Sequence, residues 1–217
     1  MDIITLDGPT SSGKNSVGFL LARRLGYKYI DSGMIYRAGC VKVFEENIAP
    51  DDVVKVLDVY KDLNISFETV KGEWKVFLDG SDVTDKLHIP EISNLVHIIA
   101  AIPDVREIVK GIQKRVAGNG KTIVGGRDIG SEIFPDAKYK FFLTASVQVR
   151  AQRRYKQLLI EDSAIKYDDV LKDLEERDEH DATREASPMR VPKDAIVIDN
   201  SDMTIEQTVD KMLEYIK

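Results

Sequence analysis

The period of the apolar positions changes several times along the chain, and each change predicts an element. Ile3, Ile4 and Leu6 form a short apolar run that stops at Asp7-Gly8-Pro9. Such a run predicts a strand buried on both faces and ending in a loop. Over 14–25, Val17, Leu20, Leu21 and Leu25 recur at helical spacing, and Gly26 suits the end of a helix. A second short strand is predicted over 27–30 and a helix over 35–44. Between 65 and 83 the period drops to two. Ile65, Phe67 and Thr69 alternate with polar neighbours, Lys71-Gly72-Glu73 turns the chain, and Trp74, Val76 and Leu78 alternate again before Asp79-Gly80. This predicts a small antiparallel meander. Ile92, Leu95, Val96 and Ile99 make a helical stripe. Val105, Ile108, Ile112 and Val116 make another, opened by Pro103.

The buried-strand pattern returns at 122–124, 139–143 and 195–198, with helical stretches between. The last helix opens on a Thr204-x-x-Gln207 capping box and turns Ile205, Val209, Met212 and Ile216 inward. Strands separated by helices predict an α/β fold, a parallel sheet covered by helices on both faces. The segment 161–184 is dense in charge and poor in large apolar residues, which predicts an exposed, mobile helical flap.

Composition narrows the class. The 217 residues carry 31 Lys+Arg against 37 Asp+Glu, a net charge of −6. A chain this acidic is not expected to coat nucleic acid, so any anionic ligand must be held by clustered cations. Cys40 is the one cysteine and has no partner for an internal disulfide, which suits a reducing cytoplasm. Asp2, Asp7 and Lys14 interrupt any leader-like apolar run, and no stretch approaches the ~20 apolar residues that span a bilayer. A cytoplasmic protein without a membrane partner is expected.

Gly8-Pro9-Thr10-Ser11-Ser12-Gly13-Lys14 lies between the first predicted strand and the first predicted helix. Two glycines flanking four variable residues, then lysine, let successive backbone N–H groups curl round a phosphate. The helix N-terminus adds partial positive charge, and Lys14 a full one. A hydroxyl residue usually follows to ligate Mg²⁺; here Asn15 follows, then Ser16. Asp31-Ser32-Gly33 reads equally as a turn with a helix cap or as a ligand contact. Gly126-Arg127-Asp128 follows a buried strand, at the sheet edge where open α/β folds place ligands. Arg177, Asp181 and Arg184 share one helix face, and the pattern alone fits a solvated ladder of ion pairs.

Four stretches, in order, resemble the bacterial cytidylate kinases, P-loop nucleoside-monophosphate kinases: 8–16, 31–37, 126–130 and 176–184. Together with the meander at 65–83, the likeness runs over essentially the whole chain. The resemblance implies a P-loop core over 1–33, 117–154 and 185–217, an inserted subdomain binding the nucleoside monophosphate over 34–116, and a lid over 155–184. It implies ATP and Mg²⁺ as cofactors and a pyrimidine monophosphate as partner; a monomer is expected.

The residues follow motif by motif. Gly8, Pro9, Thr10, Ser11, Ser12, Gly13, Lys14, Asn15 and Ser16 would bind ATP, with Asn15 or Ser16 near the metal. Ser32, Arg37, His97, Arg106, Arg127, Asp128, Arg177, Asp181 and Arg184 would bind the acceptor. Lys14, Arg37, Arg127 and Arg184 would be catalytic. Arg150, Arg153 and Arg154 lead into the lid, and the sequence does not choose among them for ATP. Two positions depart from the family pattern: His97 stands where a serine is usual, and Gly125 where an aspartate precedes Gly-Arg-Asp. Cytosine presents an amine that wants acceptors, whereas uracil and thymine present a carbonyl that wants donors. CMP or dCMP is the expected acceptor. UMP or dTMP on the same scaffold is the alternative, and a P-loop regulatory protein a further one.

Overall fold

The computed structural model describes residues 2–160, 163–183 and 187–216. The chain divides into two compact units, one over Met1–Tyr27 and Lys121–Lys217 and the other over Lys28–Gly120.

In the first unit, β1 (Asp2–Asp7), β6 (Gly120–Gly126), β7 (Tyr139–Thr144) and β8 (Ile196–Asp199) lie in the order β6-β1-β7-β8. β1 pairs in parallel with β7, Leu6 opposite Phe141, and β7 pairs in parallel with β8, Leu143 opposite Ile198. After Asp2 every β1 residue is buried, as a run without alternation requires. α1 (Lys14–Leu25) packs on β1 and on α8 (Ile205–Leu213), while α6 (Val147–Leu158) packs on α7 (Tyr167–Thr183). α1 ends on Gly26, in the left-handed conformation that glycine adopts freely. α8 opens on the capping box of Thr204 and Gln207. The segment expected as a flap holds α7, which buries Val170 and Leu174.

The second unit opens with β2 (Lys28–Asp31) and α2 (Ser32–Glu45). α2 starts three residues earlier than its apolar stripe suggests, because the Asp31 carboxylate caps it by accepting the Gly33 N–H at 2.8 Å. α3 (Val53–Lys61) was not predicted. The meander is β3 (Ile65–Val70), β4 (Glu73–Leu78) and the short β5 (Ser81–Asp82), an antiparallel sheet with Ile65 opposite Leu78. α4 (Pro90–Ile99) and α5 (Pro103–Ala117) follow, both with proline in the first turn. Trp74 stacks on Phe67 at 5.6 Å between ring centres, and its indole N–H donates to the Tyr29 carbonyl. Tyr60 is fully buried and donates its hydroxyl to the Tyr36 carbonyl at 2.6 Å. Among the described residues no helix is long and apolar enough to cross a membrane.

Candidate active site

The glycine loop occupies the turn between β1 and α1. Gly8 has φ +148°, and a Cβ there would stand 2.0 Å from the Leu143 carbonyl oxygen of β7. Only glycine lets the loop cross the neighbouring strand so closely. Gly13, at φ +91°, caps α1 in the left-handed region. Lys14 is the first residue of α1 and is buried. Its Nζ donates to the carbonyls of Gly8 and Pro9, each at 2.7 Å, and to Ser12 Oγ at 3.5 Å. Its charge therefore sits inside the curl of the loop. Asn15 and Ser16 are exposed in the first turn of α1.

Three arginines from other elements reach the same loop. Arg127, just beyond β6, donates through Nη1 to the Gly8 carbonyl at 3.1 Å and through Nη2 to Thr10 Oγ1 at 2.5 Å. Its Nε pairs with Asp181 of α7 at 2.7 Å. Arg150 of α6 is buried; it donates to the Ala145 and Thr10 carbonyls and pairs with Asp178 at 2.6 Å. Arg153 donates to Asn200 Oδ1 at 3.0 Å, to the Asn200 carbonyl at 2.8 Å and, at 3.5 Å, to the Ser12 carbonyl. Burial pushes its guanidinium down from the usual arginine range, against Asp199, which acts upward. Asn200 Nδ2 completes the brace with a bond to the Ser12 carbonyl at 3.0 Å. Lys14, Arg127, Arg150 and Arg153 thus converge on one loop, against the carboxylates of Asp178 and Asp181. This is the electrostatic setting of a polyphosphate site.

Sequence alone does not single out three features of this cluster. Arg150 and Arg153, three apart on α6, both face the loop, whereas Arg154 turns to Gln157 of its own helix. Helical spacing does not separate them, because Arg153 and Arg154 both lie about one turn from Arg150. Asn200 lies just past the end of β8, where the sheet-edge rule would have pointed. Asp7, the last residue of β1, is fully buried, and its carboxylate accepts the N–H groups of Ile129 at 2.8 Å and Gly130 at 2.7 Å. Burial pushes the Asp7 carboxyl up to about 6 and nearby Asp128 adds to this, while the two N–H donors and Lys14 act the other way. Asp128 is itself buried beside the turn Ile129–Ile133.

Further residues expected at the acceptor lie on the second unit. Ser32 is buried in the first turn of α2. Arg37, one turn on, donates to the Leu87 carbonyl at 2.7 Å and to Ser93 Oγ at 3.1 Å. Arg106 of α5 is buried, donates to the Ala100 carbonyl at 3.3 Å, and holds its guanidinium 5.8 Å from the ring centre of Tyr36. His97 is exposed on α4. On α7 of the first unit Arg177 is exposed and Asp181 half-buried. Arg184 lies outside the described residues.

Solved structures with this fold include an uncharacterized protein from Eubacterium ventriosum (12% identical, TM-score 0.55, covering 100% of this chain and 98% of that one). A second is a shikimate kinase from Acinetobacter baumannii in complex with shikimate (16% identical, TM-score 0.50, covering 100% and 93%). Identities this low speak for the fold alone. At the level of sequence, a cytidylate kinase from Caldanaerobacter subterraneus subsp. tengcongensis is 42% identical over 99% of this chain and 94% of its own. One from Caldicellulosiruptor bescii is 41% identical over 97% and 93%. The sequence model of the cytidylate kinase family matches residues 4–217. A match of that length takes in the glycine loop, the arginines that brace it and the inserted meander together, and the chain belongs to the cytidylate kinase family.

Proposed function

We propose that the chain transfers the γ-phosphate of ATP to CMP or dCMP, giving the diphosphate and ADP. The observation that carries this reading is the convergence of Lys14, Arg127, Arg150 and Arg153 on the loop over 8–13. Phosphoryl transfer leaves a protein little covalent work, so alignment and charge neutralisation supply most of the rate. Lys14 and the loop N–H groups hold the donor phosphates. Arg37, Arg127 and Arg184 hold the acceptor phosphate in line and stabilise the transferring group. No general base is required, because the attacking oxygen belongs to an ionised phosphate.

The remaining acceptor residues are Ser32, His97 and Arg106 of the second unit and Asp128, Arg177 and Asp181 of the first. Asn15 and Ser16 offer exposed oxygen-bearing side chains at the start of α1, which suits Mg²⁺. Among the described residues no cluster of His, Cys, Asp and Glu forms a metal site. Asn15 or Ser16 would hold a bound Mg²⁺, which would supply neutralisation of charge on the phosphate oxygens. Residues 1–33, 117–154 and 185–217 form the core, 34–116 bind the acceptor, and 155–184 are a lid that excludes water. The chain acts as a cytoplasmic monomer.

A coupled ADP-release assay across CMP, dCMP, UMP and dTMP tests the proposal. CMP and dCMP should be turned over at least about tenfold better than the other two, well inside the ~10⁴-fold or more that a pocket with paired polar groups can reach. Four inert acceptors with ATP still bound would overturn it.

A further inference from the structure

We propose that Asp7 is a positioning residue that aims Arg127 at the transferring phosphate, and the proposal rests on the role just given to Arg127. The geometry forms a closed circuit. The Asp7 carboxylate accepts the N–H groups of Ile129 and Gly130 at 2.8 and 2.7 Å. Arg127, two residues before Ile129, returns its guanidinium to the Gly8 carbonyl, next to Asp7, and to Thr10 Oγ1. The end of β1 therefore holds the turn after β6, and that turn's arginine holds the loop after β1. With two backbone donors on the carboxylate, the turn cannot rotate about one bond and carry Arg127 off the loop.

The site is built for this contact. Asp7 is fully buried, so nothing but its partners supports the charge. Gly130 has no room for a side chain: a Cβ would stand 2.7 Å from Thr5 Oγ1 and 3.1 Å from Asp7 Oδ2. A larger residue would push its own N–H away from the carboxylate. The charged groups facing Asp7 are Asp128 and Lys14. A carboxyl held near pH 6 by burial is an expensive way to accept two N–H groups. An uncharged amide is the cheaper occupant of a buried position, but it offers only one acceptor atom and turns a donor toward the second N–H.

The test is a double-mutant cycle on kcat with Asp7→Asn, Arg127→Ala and the pair, in saturating ATP and CMP. Asp7→Asn alone should lower kcat at least about tenfold with little change in either KM. On the Arg127→Ala background it should cost less than about twofold, because the group it aims is gone. A second readout is the wild-type to Asp7→Asn ratio of kcat between pH 8 and pH 5. Protonation turns the wild-type carboxylate into a one-acceptor group like the amide, so the ratio should narrow as pH falls. Titration of the substrate phosphates, near pH 6, cancels in the ratio.

If Asp7→Asn does not fold, Gly130→Ala enters the same cycle and should couple to Arg127 in the same way. Losses that add in full, or a ratio flat across that pH range, overturn the proposal. An Arg127→Ala enzyme of normal kcat would instead refute the role of Arg127.

Discussion

At the scale of single residues, Asp7 ties stability to pH. Burial lifts its carboxyl from 3.8 to about 6. Between those values the folded chain keeps the Asp7 proton more often than the unfolded chain does. This contribution to stability is therefore highest below the unfolded value and is lost as pH rises through the window. At roughly 1.4 kcal/mol per pH unit the full loss is about 3 kcal/mol. Asp7→Asn lacks that slope. Urea unfolding of both proteins at pH 4 and pH 7 should show the variant gaining on the wild type by most of this amount. An unchanged difference would mean that Asp7 ionises as it does in the unfolded chain. Position seven thus trades stability at neutral pH for two acceptor atoms, a trade common at working sites.

At the scale of elements, what the sequence disclosed followed how local each signal was. The strand, glycine loop and helix over 2–25 were legible because run, loop and stripe are contiguous. The meander was legible from its alternation. α3 was not, because Val53 and Val54 are exposed apolar residues that blur the stripe made by Val56, Val59 and Tyr60. The braces on the loop were the least legible. Arg150 and Asn200 meet it across separations of 140 and 188 residues, and no periodicity encodes such a meeting.

Packing between helices in the second unit has its own sequence marker. A Cβ on Gly39 of α2 would stand 2.2 to 2.6 Å from ring carbons and the hydroxyl of Tyr60 in α3. Gly39 is helical, so the gain from its removal is only about 1 kcal/mol of propensity. Overpacking against a fully buried ring costs about 1–3 kcal/mol, so Gly39→Ala should be net destabilising. Urea unfolding checks the sign, and a stabilised variant would refute the fit.

At the scale of the whole molecule, the balance of charge and its placement point in opposite directions. The chain carries −6 overall, yet a lysine and three arginines crowd one loop of the first unit. Attraction for a nucleotide is therefore local and short-ranged, within about 8 Å at physiological salt. A kinase of this kind needs two nucleotides per chain, whereas a simple ATP switch needs one. Titration calorimetry with a non-hydrolysable ATP analogue and with CMP should give one site for each and simultaneous occupancy. A single site shared by the two in competition would favour the switch.

The chain contains one tryptophan, Trp74, seated against Tyr29 and Phe67 within the second unit. Light absorbed beyond the tyrosine band is therefore emitted from that unit alone. Its colour reports the surroundings of one indole, whose N–H is already bonded to a backbone carbonyl. The protein carries an unlabelled optical probe of its meander, so stopped-flow mixing with a mononucleotide can time any response there without a dye.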